Sequence, residues 1–302
     1  MSTPVISIII PHLNQPDFLA RCLASLDPQI SSLGNIEVVV VDNGSAKLPT
    51  PTTSTFGWVR LAQEKTPGPG PARNHGIAVS SAPLLAFIDA DCLSHPDWLS
   101  TILTEFSHNP ATLIVGGDVR IALGNPARPT ALEAYESVFA YRQKEYIEKI
   151  GFSGTGNLAM RRSAYDAVGP FAGILVAEDR DWGRRAQKQG LHIKYLGNMI
   201  VYHPARKSFD ELCRKWDRHV SHDYQELPKG AVGKLKWAGL AAAIVFSSIL
   251  DVRKVLASQR ISTFRERRLA SWILFRIRLY RASRMAAQLA KADHLSKNWN
   301  RS

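Results

Sequence analysis

Asp89-Ala90-Asp91 follows the apolar run Leu84–Ile88. Two carboxylates at i and i+2 after a buried strand can both reach one hard cation when the strand ends in a turn. Mg2+ or Mn2+ held by one or two carboxylates and by diphosphate oxygens is the chemistry this spacing suits. The same triplet on its own also serves as a turn or a cap.

Three further groups keep it company. Asp42-Asn43 closes a second apolar run, Ile36–Val41, where an acidic side chain can hydrogen-bond a base or a ribose, or cap a turn. Arg73-Asn74 opens a helix just after Pro67-Gly68-Pro69-Gly70-Pro71, and a helix start with an arginine suits a phosphate. Glu178-Asp179 begins another helix, where acids also favour the macrodipole. One acidic site for a metal and another for a proton is what an in-line group transfer to a hydroxyl needs.

The elements that must carry these residues alternate. Val5–Ile10, Ile36–Val41, Trp58–Leu61, Leu84–Ile88 and Leu113–Val119 read as strands. Asp17–Leu26, Ala72–Val79 and Pro96–Phe106 read as the helices between them. The spacing predicts an α/β fold with a mainly parallel sheet, whose ligands gather outside the strands' carboxyl ends. Beyond it, Ala131–Ile150 is expected to be one long helix, Glu178 to about Lys188 another, and His192–Val201 a strand.

The 302 residues are 45% apolar and 21% charged, which excludes a wholly disordered chain. Cys22, Cys92 and Cys213 are too few and too scattered for a disulfide framework or a zinc set, and fit a reducing, cytoplasmic compartment. The net charge of +12 is unevenly placed: residues 229–302 hold 16 Lys/Arg against 3 Asp/Glu, leaving 1–228 near neutral. The N-terminal stretch does not read as a signal peptide. The longest apolar run, Trp237–Leu250, is shorter than the about 20 residues of a membrane span. No Walker loop or G-x-S-x-G elbow is present.

ISIIIPHLN (6–14), VVVVDNGS (38–45), ARNHGI (72–77), FIDADC (87–92), GTGNLAMRRSAYDAVGPF (154–171) and AEDRDWGRRAQKQG (177–190) together resemble family 2 glycosyltransferases, in the same order and over about residues 5–205. The resemblance implies a GT-A fold, with a nucleotide-binding half (1–120) and an acceptor half (121–228), followed by a helical basic extension (229–302). It implies inverting transfer of a sugar, from a UDP-sugar before other donors, to a glycan or lipid-linked hydroxyl. Pro11 and Asn14 would line the nucleotide pocket, with Asp42 and Asn43 near the base. Arg73 and Asn74 would approach base and diphosphate. Asp89, Ala90 and Asp91 would hold ribose and the Mn2+ or Mg2+ diphosphate. Gly156 and Asn157 would lie where donor sugar and acceptor meet. Asp179, beside Glu178, would be the general base, and His203 a third metal ligand.

Processive relatives carry a Q-x-x-R-W motif, of which Arg214-Lys215-Trp216 is a partial echo, so a single addition is expected. In the tail, Gly230–Leu256 is apolar almost all round, and Leu269, Ile273, Ile277 and Tyr280 share an arc of Arg265–Arg284. An apolar body with basic flanks and Trp or Tyr suits a helix lying at the inner face of an anionic membrane. The other course for these helices is packing on the domain or on a second copy. Two other functions stay open at this level: a non-catalytic nucleotide-sugar-binding scaffold, and a nucleotidyltransferase. No nucleic acid partner is expected.

Overall fold

The computed structural model describes residues 3–290 apart from Glu226 and Lys229, so 291–302 of the basic tail lie outside the described residues. Eight strands form one mixed sheet in the order β3-β2-β1-β4-β7-β6-β8-β5. The strands are β1 (Ile6–His12), β2 (Ile36–Asp42), β3 (Val59–Gln63), β4 (Leu84–Ile88), β5 (Leu93–Ser94), β6 (Ile114–Ala122), β7 (Asn157–Arg161) and β8 (Ile193–Pro204). The first half, β3-β2-β1-β4, is parallel as the alternating pattern predicts. From β7 onward the recorded pairs, β4–β7, β6–β7 and β5–β8, are antiparallel, so the sheet is mixed rather than mainly parallel.

The parallel half needs helical crossovers. Helix α1 (Pro16–Leu33) starts with proline at its first position and buries Leu19, Cys22, Leu23, Leu26 and Ile30, a spacing of three and four. The short α2 (Thr50–Thr53) interrupts the Pro/Thr-rich loop. Helix α3 (Pro69–Val79) begins within the Pro/Gly segment, three residues before the expected start. Helix α4 (Trp98–His108) follows β5 and buries Trp98, Leu99, Ile102 and Phe106. Ile9, Val39, Val41, Leu85 and Phe87 of the strands meet Phe171 and Trp182 in one core.

The expected helix over 131–150 is not continuous. Its first part is α5 (Ala131–Phe139), opened by a capping box between Thr130 and Glu133. The chain then leaves helical geometry at Arg142, where φ is −106° and ψ 53°. It resumes as the short α6 (Gln143–Glu145) and a π-helical turn (Tyr146–Ile150). The break coincides with a change of compact unit, because 3–120 and 142–204 form one and 121–141 and 205–290 the other.

Within the first unit, α7 (Arg162–Val168) follows β7, and α8 (Glu178–Lys188) carries the second acidic set. The second unit adds α9 (Phe209–Gln225), α10 (Ala231–Ala257) and α11 (Phe264–Ala290) to α5. Helix α9 thus groups with the tail helices, so contacts do not divide the chain at residue 228. Ile273 and Ile277 are buried against Tyr135, Leu212 and Val255, with Leu269 and Tyr280 packed at the margin. The arc on α11 therefore faces protein. Tyr280 Oη donates to Asp217 Oδ2 at 2.9 Å, and Arg284 Nε reaches Asp217 Oδ1 at 2.9 Å. No helix among the described residues is long and apolar enough to cross a membrane.

Candidate active site

Strand register places the first acidic pair. In the β1–β2 ladder His12 stands opposite Asp42. Gln15 N–H donates to His12 Nε2 at 3.2 Å, which puts the ring proton on Nδ1, 3.0 Å from Asp42 Oδ1. Asp42 Oδ2 accepts the backbone N–H groups of Gly44 and Ser45 at 3.2 and 3.0 Å. Burial alone would raise this carboxyl, but the bonds from Ser45 and His12 hold it below the ordinary range. Both of its oxygens are thus committed, Oδ1 to His12 and Oδ2 to the turn after β2.

Asn14, in a left-handed conformation with φ 54°, ties the turn after β1 to the same place: its Oδ1 accepts Ala46 N–H at 2.9 Å. Asn43 clamps the loop that leads to α3. Its Nδ2 donates to the carbonyls of Glu64 and Thr66 at 3.0 and 2.8 Å, and its Oδ1 accepts Gly68 N–H at 2.7 Å. Pro11 lies beside them in β1, opposite Val41.

Arg73, on the first turns of α3, is buried. Its Nη2 donates to Asp89 Oδ1 at 2.7 Å and its Nη1 to Glu178 Oε1 at 2.9 Å. Burial disfavours the charge, yet the two carboxylates outweigh it and keep the guanidinium protonated. The arginine expected to face a diphosphate thus joins the D-x-D motif to the start of α8, across 89 positions of chain. Asn74 does something else. Its Oδ1 accepts Tyr165 Oη and Phe171 N–H at 3.0 and 2.9 Å, and its Nδ2 donates to Phe171 O at 2.8 Å. It holds the segment before α8 against α3.

In the antiparallel β4–β7 ladder Ile88 faces Asn157, so Asp89 comes to Gly156. A Cβ on Gly156 would stand 2.4 Å from Asp89 Oδ2, so any other residue here would displace that carboxylate oxygen. Asn157 is fully buried with every polar atom used. It donates to Asp118 O and Met199 O at 2.7 and 2.9 Å, and accepts Trp98 Nε1–H at 2.8 Å. It pins three elements from beneath the site rather than presenting its amide to it.

The two-residue strand β5 positions the rest. Leu93 pairs with Tyr202, which brings Asp91 and Cys92 to His203. Ala90 is buried in the turn between the two aspartates, where Cys92 N–H donates to Asp89 O at 2.9 Å. His203 Nδ1 lies 2.7 Å from the Pro204 carbonyl, which can only accept, so Nδ1 carries a proton and Nε2 faces Asp91 Oδ2 at 3.3 Å. Burial works against charge on both side chains. Their pairing prevails, lowering Asp91 below the carboxylate range and raising His203 above the imidazole one.

That geometry fits a divalent cation. Octahedral Mn2+ or Mg2+ with ligands at about 2.1 Å has adjacent ligands about 3 Å apart, close to the separation of Nε2 and Oδ2. The donation from Nδ1 to Pro204 fixes the ring in the orientation a ligand needs. Cys92 Sγ falls within 4.8 Å of the same atoms. Burial first, then Asp89 and Asp91, push its thiol up. Asp89 instead spends one oxygen on Arg73, outside this cluster.

Asp179 sits at the start of α8 with Oδ1 accepting Arg180 N–H at 2.7 Å. Burial, then repulsion from Glu178, raises its pKa. The two acidic sites are thereby shifted in opposite directions, Asp91 down by its pairing with His203 and Asp179 up by burial and Glu178.

Three residues beyond those the sequence singles out support the site. His12 holds Asp42. Arg162 ends α3 by donating to Ile77 O, Ala82 O and Ser80 Oγ at 2.8 to 3.0 Å. Arg185 donates to Val168 O and Pro170 O at 2.7 and 2.6 Å, fixing the turn that leads toward α8. An arginine within a matched motif, as Arg162 is, was the available signal.

The chain is similar to known proteins. Glycosyltransferase AglE of Haloferax volcanii is 34% identical over 218 residues, 70% of either chain. Validoxylamine A glucosyltransferase of Streptomyces hygroscopicus is 28% identical over 154 residues, 49% of this chain and 36% of its own. Among solved structures, the mannosyltransferase PcManGT of Pyrobaculum calidifontis, in complex with GDP-Man and Mn2+, superposes with a TM-score of 0.58 at 17% identity. That match covers 96% of this chain and 87% of PcManGT. Glucosyl-3-phosphoglycerate synthase of Mycobacterium tuberculosis, in complex with Mn2+ and UDP, gives 0.51 at 22% identity over 69% of this chain and 75% of its own. The profile of Glycosyl transferase family 2 matches residues 7–169. With that match, a GT-A fold and named glycosyltransferases as relatives, the chain belongs to glycosyl transferase family 2 and is a glycosyltransferase.

Proposed function

We propose that this glycosyltransferase inverts the anomeric carbon, moving one sugar from a nucleotide-sugar, a UDP-sugar before others, to a hydroxyl of a glycan or lipid-linked acceptor. The observation that carries the reading is Arg73, whose buried guanidinium holds Asp89 and Glu178 at 2.7 and 2.9 Å and so joins the two acidic sites. An in-line displacement needs both sites, one at the leaving diphosphate and one at the attacking hydroxyl.

Asp91 and His203 would hold Mn2+ or Mg2+, with Asp89 adjoining. The cation supplies charge stabilisation for the diphosphate as it leaves. Asp179 takes the proton from the acceptor hydroxyl, and its raised pKa suits a base that must bind and later release that proton. Pro11, Asn14, Asp42 and Asn43 shape the nucleotide end. Asn74 and Asn157 act as positioning residues, since their amides are spent on backbone, Tyr165 and Trp98. Gly156 lets the Asp89 carboxylate lie against the start of β7, beside the proposed donor site. Residues 229–302 would meet an anionic membrane surface on the cytoplasmic side, where a lipid-linked acceptor is presented.

The test is transfer and nucleotide binding with UDP-, GDP- and dTDP-sugars, with and without Mn2+. One nucleotide should raise the melting temperature only with Mn2+ present, and its sugar should appear on the acceptor with inverted configuration. A retained configuration, or nucleotide binding indifferent to metal, overturns the reading.

A further inference from the structure

Helix α10 is apolar almost all round, a composition that belongs to a helix covered on all sides. The described residues cover only one side. Gly233, Trp237, Ser248, Asp251 and Val255 face the interior of the second unit, and Trp237 Nε1 donates to Met285 O at 3.2 Å. On the other side Val232, Leu235, Ala242, Phe246, Ile249 and Leu256 follow at steps of three and seven or four, the period of one helical stripe. Val232, Leu235, Phe246 and Ile249 are 73%, 78%, 69% and 65% exposed. Contiguous side chains of this size at a surface mark a docking site.

Charge selects the partner. Lys234, Lys236 and Arg253 are exposed at the two ends of the helix, and Trp237–Leu250 between them carries no charge, a span of about 20 Å. The helix's single acid, Asp251, is buried and engaged by Arg278 at 2.5 Å and by Lys254 at 2.9 Å. A second copy of the stripe would bring cations against cations with no exposed acid on α10 to answer them. An anionic lipid surface answers them and takes up the apolar middle. The helix is too polar to span, so it would lie in the plane of the interface.

We propose that the Val232–Leu256 stripe of α10 lies in the interfacial layer of an anionic bilayer, with the lysines and Arg253 reaching the headgroups. The inward-packed arc of α11 takes no part in it. The partner is the one the proposed function names for residues 229–302, and vesicle binding tests it without any sugar transfer.

The experiment is co-sedimentation of the full chain with phosphatidylglycerol-containing vesicles and with pure phosphatidylcholine vesicles. Light scattering of the free protein and a nucleotide melting shift run beside it. Binding to the anionic vesicles is expected, weakened by salt and by Lys234→Gln, Lys236→Gln and Arg253→Gln, about fivefold for each charge. Phe246→Glu with Ile249→Glu should cost about tenfold or more for each side chain, with melting temperature and nucleotide shift unchanged. Equal binding by that double variant overturns the proposal. So does a dimer that dissociates in the double variant while vesicles bind neither form. Loss of the nucleotide shift with intact vesicle binding would instead count against the catalytic reading alone.

Discussion

Arg73 donates from the protein interior to Asp89, 2.7 Å away, and thereby fixes one carboxylate of the D-x-D motif. Its other nitrogen does the same for Glu178. Arg73→Met leaves both acids without their partner and should cost about 2 kcal/mol in denaturant unfolding, less than a fully buried pair because both acids are partly exposed. Arg73→Lys should not restore transfer, since one ammonium cannot serve both carboxylates in a fixed fork. Urea titration and a transfer assay on both variants check it.

Asp179→Asn should lower kcat by about 10²- to 10⁴-fold without lowering the melting temperature at neutral pH. The sign follows from the raised pKa. A carboxyl raised above its unfolded value favours folding below that value, and the contribution is lost as pH rises through the folded pKa. At neutral pH the charge is a net cost, so removing it does no harm to stability. The acid limb of kcat/KM should fall at higher pH than for an ordinary carboxylate, and Glu178→Gln should move it back down.

Asp91→Asn and His203→Ala should each raise the Mn2+ concentration needed for half-maximal transfer at least about tenfold. Chelation should abolish transfer, and Mn2+ should restore it. A titration of activity against free Mn2+ reads both, and unchanged curves for His203→Ala would remove that residue from the metal site.

Asn157→Ala should destabilise the protein by about 3 kcal/mol, because it strands Trp98 Nε1, Asp118 O and Met199 O in the interior. The midpoint of urea unfolding measures it. A loss well under 1 kcal/mol would mean that the three groups find other partners.

The parallel half of the sheet was legible because β4 is an unbroken apolar run and β1 and β2 are apolar runs interrupted only by Ser7 and Glu37 before their last residues, and runs of that kind suit strands buried on both faces. The acids at their ends were legible for the same reason. Three things were not. Strand β5 is two residues long, too short for any period to show, yet it brings Asp91 to His203. Helix α7 and helix α9 follow a motif and a His-Pro pair that draw the eye to chemistry instead of structure. The polar residues Asn74 and Asn157 stand where contacts to a ligand are expected, and nothing in the amino-acid order separates an amide facing a ligand from one facing backbone. Only the ladder register and the buried hydrogen bonds do.

The three cysteines have a practical consequence. Cys22, Cys92 and Cys213 are all buried and unbridged. Burial raises each thiol, with nearby aspartates adding to it, and Cys22 also donates to Asp89 O. Reagents that need an exposed thiolate therefore find no target on the folded wild-type chain. Leu235→Cys would create a single reactive point on the outer stripe of α10. A fluorophore or spin probe placed there would report its own depth, with no need to strip the native cysteines first.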